Sequence, residues 1–557
     1  MAVMFQSDGV AKFERNYQMA EATNPKSMGA YDYIVVGAGS AGCVLANRLS
    51  EEASVLLLEA GGKDDYIWTK IPVGYLYCMG NPRVDWGFKT EAEAGLNGRS
   101  LDYPRGKVLG GCSSINGMIY MRGQSRDYDQ WAQAGNPGWA WDDVLPYFLK
   151  SEDQHAVPAD DMHAQGGEWR IENPRVSWEI LDAFQEAAAQ AGVPKTTDFN
   201  RGDNEGCGYF HVNQKRGVRV NTARAFLKSA AKRDTLRILT RAHATRIDMA
   251  EGRAAGLFFD VNGEPYHATA NAEVVLAAGS VASPQLLQLS GIGAGAVLQA
   301  HGIQAQHELP GVGENLQDHL QVRCAYKVDG VKTLNERANS LIGKLGIGLE
   351  YLLFQRGPMT MAPSQLGAFA KSDPSYDTPN LQYHVQPLTL DAFGEPLHPF
   401  PAFTASVCNL RPESRGTIHI KSPDPYAAPA IRPNYLSAQR DKQVAAEAVR
   451  LTRRIVAQPA LQQFNPVEFK PGPELDTEEE LVKASGDIST TIFHPIGTCK
   501  MGNDPMAVVD DRLRVRGVSG LRVADASIMP TITSGNTNSP TIMIAEKAAD
   551  MLKQDRR

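Results

Sequence analysis

The sequence predicts an α/β protein in which a sheet with glycine-rich turns is split along the chain by an inserted α+β region. Three observations predict it. A β-branched and aromatic run at residues 31–36 leads at once into Gly37-Ala-Gly39-Ser-Ala-Gly42 and then a helix-like stretch at 43–49. Two further apolar strands that end beside small or polar residues, at 273–277 and 520–524, lie far down the chain, so the domain they complete must be discontinuous. Between them the texture changes, with acids, His and Trp at 154–201, strand-like runs at 380–385 and 403–410, and a helical stretch at 440–456.

Composition narrows the classes. The 557 residues, 43% hydrophobic and 21% charged, lie in the ordinary globular range and exclude a disordered, collagenous or coiled-coil chain. Fifty-one glycines exceed the usual ~7%, as expected where backbone approaches a ligand closely. A formal charge of −7 argues against nucleic acid as a partner. Seven scattered cysteines with no C-x-x-C pair support neither a disulfide framework nor a metal site, and point to a reducing compartment. Residues 1–29 read as an N-terminal extension. No apolar run is long enough for a signal peptide or a spanning helix, so a cytoplasmic location is expected.

The first element is a strand, glycine turn and helix, with Gly37, Gly39, Ser40, Ala41 and Gly42 in the turn and helix start. The second strand, 54–58, ends in Glu59-Ala60, and Glu59 falls 20 residues after Gly39, where a dinucleotide fingerprint places its ribose-binding acid. The glycines admit a pyrophosphate to the helix N-terminus, and Glu59 can accept the ribose hydroxyls. A glycine turn of an ordinary α/β sheet does not account for Glu59. The fingerprint alone does not separate NAD from FAD.

Next, Gly106-Lys-Val108-Leu-Gly110-Gly111-Cys-Ser-Ser-Ile-Asn116-Gly117-Met118 packs glycines, hydroxyls and an amide into one loop, as expected against a planar or phosphate ligand. Gly279 follows the strand at 273–277. Near the C-terminus stand His494-Pro-Ile-Gly497, then Asp525-Ala526 at a strand end, then Asn536-Thr537-Asn538 ahead of Pro540 and a helix-like stretch at 541–552. No G-x-S-x-G elbow or H-E-x-x-H helix points to a serine hydrolase or zinc protease.

Together these motifs, in this order over residues 31–552, resemble the glucose–methanol–choline (GMC) family of FAD-dependent oxidoreductases, especially bacterial choline-dehydrogenase-like alcohol dehydrogenases. The resemblance implies a discontinuous Rossmann-like FAD-binding domain (30–153, 206–321 and 480–557). It also implies an inserted α+β substrate-binding domain (154–205 and 322–479), an antiparallel sheet flanked by helices. It implies His494 as the catalytic base and Asn536 as the group that holds the substrate oxygen. Asp525 and Ala526 would lie near the ribityl chain and pyrophosphate, and Thr537 and Asn538 at a helix end facing the flavin pyrimidine. Glu314-Asn-Leu-Gln-Asp318-His319 reads as a structural segment. Some members carry in the 106–120 loop a His that links covalently to the flavin; here that place is Ile115, so FAD is expected to be non-covalent. Cys112 stands where a small Ser or Gly is common.

The expected activity is oxidation of an aliphatic or polyether primary alcohol to the aldehyde, with a quinone or electron-transfer protein favoured over oxygen as acceptor. Choline is the alternative substrate. It would require a carboxylate and aromatic faces around the ammonium, for which Tyr351, Phe354 and Trp68 are candidates. A non-redox hydroxynitrile lyase is the alternative of another class. Residues 215–237, with eight Lys and Arg, read as a solvated helix face. Residues 341–354 read as a core-packed helix rather than one that docks at a membrane, and peripheral membrane contact is a subsidiary expectation.

Overall fold

The computed structural model describes residues 25–391 and 395–556. Most of the expected N-terminal extension lies outside the described residues, and Lys26–Gly29 already belong to the first strand.

Two seven-stranded sheets organise the chain. In the first, Lys26–Val36 is central and pairs in parallel with Val55–Glu59 on one side and Glu264–Leu276 on the other. Val55–Glu59 pairs onward with Leu236–Thr240, also in parallel. Glu264–Leu276 meets Arg253–Val261 antiparallel along its first half and Leu521–Val523 parallel along its second. Ile34, Val35 and Leu56 to Leu58 are fully or almost fully buried, as β-branched and aliphatic residues must be in strands covered on both faces. Helix Ser40–Leu49 and the C-terminal helix Asn538–Arg556 cover one face side by side. The buried Arg48 guanidinium joins them, holding Glu546 of the C-terminal helix at 2.7 Å and Glu168 at 2.6 Å.

The second sheet is antiparallel throughout, in the order 467–470, 320–327, 402–409, 381–386, 366–370, 206–209, with 490–491 beside 320–327. Gly206–Tyr209 therefore belongs to this sheet and not to the first, and Leu320–Lys327 straddles the boundary expected at 321. The sequence Gly-Cys-Gly-Tyr has little strand propensity of its own, and only pairing with Leu366–Ala370 makes it a strand. Strand Leu381–Gln386 alternates: Leu381, Tyr383 and Val385 pack into the apolar core beneath helix Gln439–Val456, and the intervening Gln382, His384 and Gln386 face the other way.

Two expectations are corrected here. Residues 215–237 form no solvated helix face: they make a two-stranded hairpin and short helical turns. Within them Arg219 is fully buried, donating to the Asn116 side chain at 2.9 Å and to the Ser113 and Pro72 carbonyls, and Arg224 pairs with Asp64. Helix Leu341–Phe354 is not core-packed. None of its residues is buried, because its apolar arc points outward, which its periodicity could not reveal.

Candidate active site

A cavity of about 600 Å³ runs from the strand ends of the first sheet to the polar face of the second. At one end lie Gly37, Gly39, Ser40 and Ala41, where the first strand gives way to its helix, with Glu59 and Ala60 at the end of the second strand. Glu59 is held by two backbone donors, Ala38 N–H at 3.0 Å and Gly61 N–H at 2.8 Å, and burial pushes its carboxyl up to about 7. Asp525 accepts from Gly279 N–H, Ser283 Oγ and Ser527 N–H, and so fastens the start of helix Gly279–Leu289 to the cavity wall.

At the other end four side chains, His319, His494, Asn536 and Gln382, form a chain of hydrogen bonds. His319 Nε2 lies 3.1 Å from the Leu410 carbonyl, which can only accept, so Nε2 carries the proton and Nδ1 carries a lone pair. That lone pair faces His494 Nδ1 at 3.1 Å, so His494 donates from Nδ1 and its Nε2 is left unprotonated. Asn536 Nδ2 donates to this Nε2 at 3.1 Å, and Gln382 Nε2 in turn donates to Asn536 Oδ1 at 3.1 Å, which fixes the amide's orientation. Burial, reinforced by His319, His384 and the Arg105 guanidinium, holds His494 well below the usual histidine value. Burial likewise brings His319 down to about 4 and His384 to about 3.

Backbone geometry aims the base. Phe493 takes a left-handed φ of 68°, rare for a bulky residue, with its N–H held by Thr491 Oγ1 at 2.7 Å. Asp318 accepts from the His494 and His319 backbone N–H groups through one oxygen, and from the Tyr103, Tyr435 and Thr491 hydroxyls through the other. Five donors on one buried carboxylate lock the two histidine backbones together.

Comparison with known proteins decides the family. The N-terminal domain of the GMC oxidoreductases matches residues 31–321 and the C-terminal domain matches residues 412–545. The chain belongs to the GMC oxidoreductase family. It is 43% identical over 530 residues to an oxygen-dependent choline dehydrogenase of Photobacterium profundum, covering 94% of this chain and 93% of the relative. It is 41% identical over 527 residues to an alcohol dehydrogenase [acceptor] of Pseudomonas putida, covering 94% and 95%. An FAD-dependent oxidoreductase from Chaetomium thermophilum superposes with a TM-score of 0.86 at 27% identity, covering 95% of this chain and all of that one.

FAD, the cofactor of this family, fits the residues present. A Cβ on Gly279 would meet no atom within 4 Å and would project into open space, whereas one on Gly37 would stand 2.7 Å from the Ala277 carbonyl. Asn538, at the N-terminus of the long C-terminal helix, lines the cavity with a buried Nδ2 that has no partner, its Oδ1 accepting from Ser40 Oγ at 2.6 Å. An orphaned donor beside a helix N-terminus suits an electron-rich ligand.

Of the residues singled out in the sequence, Gly106, Gly111, Asn116, Gly117, Met118, Gly279, Asp525, Ala526 and Thr537 also line the cavity. Gly42, Val108 and Gly110 do not, and packing explains all three. A Cβ on Gly42 would come within 1.8 Å of the Gly37 carbonyl, Val108 is fully buried, and Gly110 turns at φ +89° with its N–H on the Ala38 carbonyl. Trp68, Tyr351 and Phe354 are absent from the cavity wall; Trp68 stacks on Tyr77 and Tyr351 donates to the Gly217 carbonyl. The sequence reading places Asp318 and His319 in a structural segment with no part in the chemistry, and it misses Gln382, His384 and Gln386. A signal was present for the last three, the alternation Leu-Gln-Tyr-His-Val-Gln, in which one buried face is polar.

Proposed function

We propose that this GMC oxidoreductase oxidises a primary alcohol to the aldehyde, and that the substrate carries further oxygen, as a glycol or polyether does. The observation that supports oxidation is the hydrogen-bond chain that leaves an unprotonated Nε2 on His494 beside an amide donor. An alcohol that displaces the direct Asn536–His494 contact accepts from Asn536 Nδ2 through its oxygen while its hydroxyl donates to the His494 Nε2 lone pair so released. Nε2 then takes the hydroxyl proton, and Nδ1–H keeps its bond to His319. Bound FAD supplies the acceptor for the hydride. Ile115, which has no group to bond a flavin ring, supports non-covalent FAD.

The polar wall supports an oxygenated substrate. His384 Nε2 and Gln386 Oε1 are buried without partners, and Gln321 and Ser364 line the same cavity. Buried polar atoms of this kind favour a ligand that hydrogen-bonds over plain hydrocarbon. Choline is the second reading, favoured by the names of several relatives. Against it, the carboxylates lining the cavity are Glu59, Asp260 and Asp525, and each already holds an internal donor. No observation favours the lyase. Among the described residues no helix is long and apolar enough to cross a membrane, and all seven cysteines are free, which supports a reducing, cytoplasmic location. An acceptor other than oxygen completes the reading, in line with the relative named alcohol dehydrogenase [acceptor].

The test is anaerobic bleaching of the flavin band by diethylene glycol, a matched alkanol and choline, followed by reoxidation with oxygen or a soluble quinone. Fastest bleaching by the glycol supports the reading; bleaching by choline alone overturns the substrate, and bleaching by none overturns alcohol oxidation.

A further inference from the structure

Helix Leu341–Phe354 carries its apolar side away from the protein. At about 100° per residue, Leu341, Ile342, Leu345, Leu349, Leu352 and Leu353 fall within an arc of about 120°. Their exposures run from 57% to 85%. The opposite side holds the helix down through Tyr351, whose hydroxyl donates to the Gly217 carbonyl, and Glu350, which pairs with Arg337. Soluble surfaces scatter such residues singly, and six large aliphatic side chains on one outward face mark a surface that something covers.

Charge selects what covers it. The chain as a whole is acidic, at −7, yet the edge of this face is basic. Lys344 lies on the helix and Arg356 just beyond it, both exposed. The hairpin that packs on Gln355 through Gly217 presents exposed Lys215 and Arg216 beside them. The nearby acids are engaged: Glu350 with Arg337, and Glu336 capping Thr333 N–H. An apolar arc bordered by exposed cations that make no salt bridge among the described residues is complementary to a lipid surface with anionic headgroups, where the leucines enter the acyl boundary and the cations meet phosphate.

The same side carries further apolar groups. The helix packs on the turn Pro358–Thr360, which packs on the turn Pro72–Gly74, and this leads directly into Tyr75–Cys78, where Leu76 and Tyr77 are exposed. A few residues beyond the helix, Pro363 and Ser364 form part of the cavity wall, so the apolar face and the active site share one segment of chain.

We propose that helix Leu341–Phe354 is a monotopic docking element that seats this enzyme on an anionic lipid bilayer. The test uses the full-length holoenzyme and sedimentation with vesicles of phosphatidylcholine alone or mixed with phosphatidylglycerol. The expected result is partition onto the mixed vesicles, weakened by salt, and reduced at least about tenfold in the variant L345E/L349E/L352E. Replacing Lys215, Lys344 and Arg356 by Ser lowers partition onto mixed vesicles alone. Turnover with a soluble dye stays unchanged in both variants, which shows that each is folded and loaded with flavin. Failure of the native enzyme to sediment, or equal sedimentation of the Glu variant, overturns the proposal. So does a native dimer that the Glu variant dissociates while neither binds vesicles, which assigns the face to a second copy of the chain.

Discussion

His319 Nδ1 lies 3.1 Å from His494 Nδ1, and because His319 donates its other nitrogen's proton to the Leu410 carbonyl, this contact determines which nitrogen of His494 is free. A lone imidazole populates both tautomers. Here a backbone carbonyl two residues removed from the reacting centre selects one, and the selected tautomer points its lone pair at the cavity.

His319→Phe removes the acceptor and frees His494 to take the other tautomer. Flavin reduction by a saturating alcohol should slow by on the order of 10²-fold, with FAD content unchanged. His319→Asn, which can supply an acceptor oxygen, should recover part of the rate. Stopped-flow reduction of the two variants measures this, and equal rates in both would remove His319 from positioning the base.

His494→Ala should cost about 10²–10⁴-fold in the same step while FAD stays bound. Because His494 is held below the ordinary histidine value, the native rate should not fall as pH drops through 6.5. A pH profile of the reduction rate that bends at or above 6.5 would contradict the assignment.

His319 and His384 are buried in neutral form, at about 4 and about 3. In the unfolded chain each takes a proton near pH 6.5, so below that value the unfolded state binds more protons and stability falls as pH falls, until the folded values are reached. From pH 7 to 5 each should withdraw about 2 kcal/mol. Denaturant unfolding of His384→Gln should show a pH dependence shallower by about that amount; an unchanged slope would show that His384 is charged in the fold.

Gly279→Val should impair cofactor retention more than folding. Its Cβ meets no protein atom within 4 Å and would occupy space at the cavity, although the positive φ of 81° adds strain of about 1–2 kcal/mol. The comparison is Gly252→Val, at φ +76° in the hairpin turn between strands Ala242–Ala250 and Arg253–Val261, where a Cβ meets no atom within 4 Å and the residue does not line the cavity, so it carries similar strain alone. Equal flavin content after gel filtration in the two variants would count against Gly279 bordering the cofactor.

The sequence by itself determined the first strand, turn and helix and the acid at the end of the second strand. Those follow from local chemistry: glycines with a required spacing and a strand of β-branched residues, whereas His494 and Asn536 were picked out by resemblance to the family's motifs. It also carried the alternation of the strand Leu381–Gln386, although a polar buried face has meaning only when its opposite wall is known. The tertiary structure alone decided the rest. His319 and His494 are 175 residues apart, and no local pattern states that one acceptor fixes the other's tautomer. Residues 215–237 are rich in cations whether those face water or, like Arg219, donate to buried carbonyls. The helix at 341–354 has an apolar arc in either orientation, and periodicity gives the arc's existence but not its direction. Which side of an element meets the core depends on what the distant chain packs against it, and that is a property of the assembled fold.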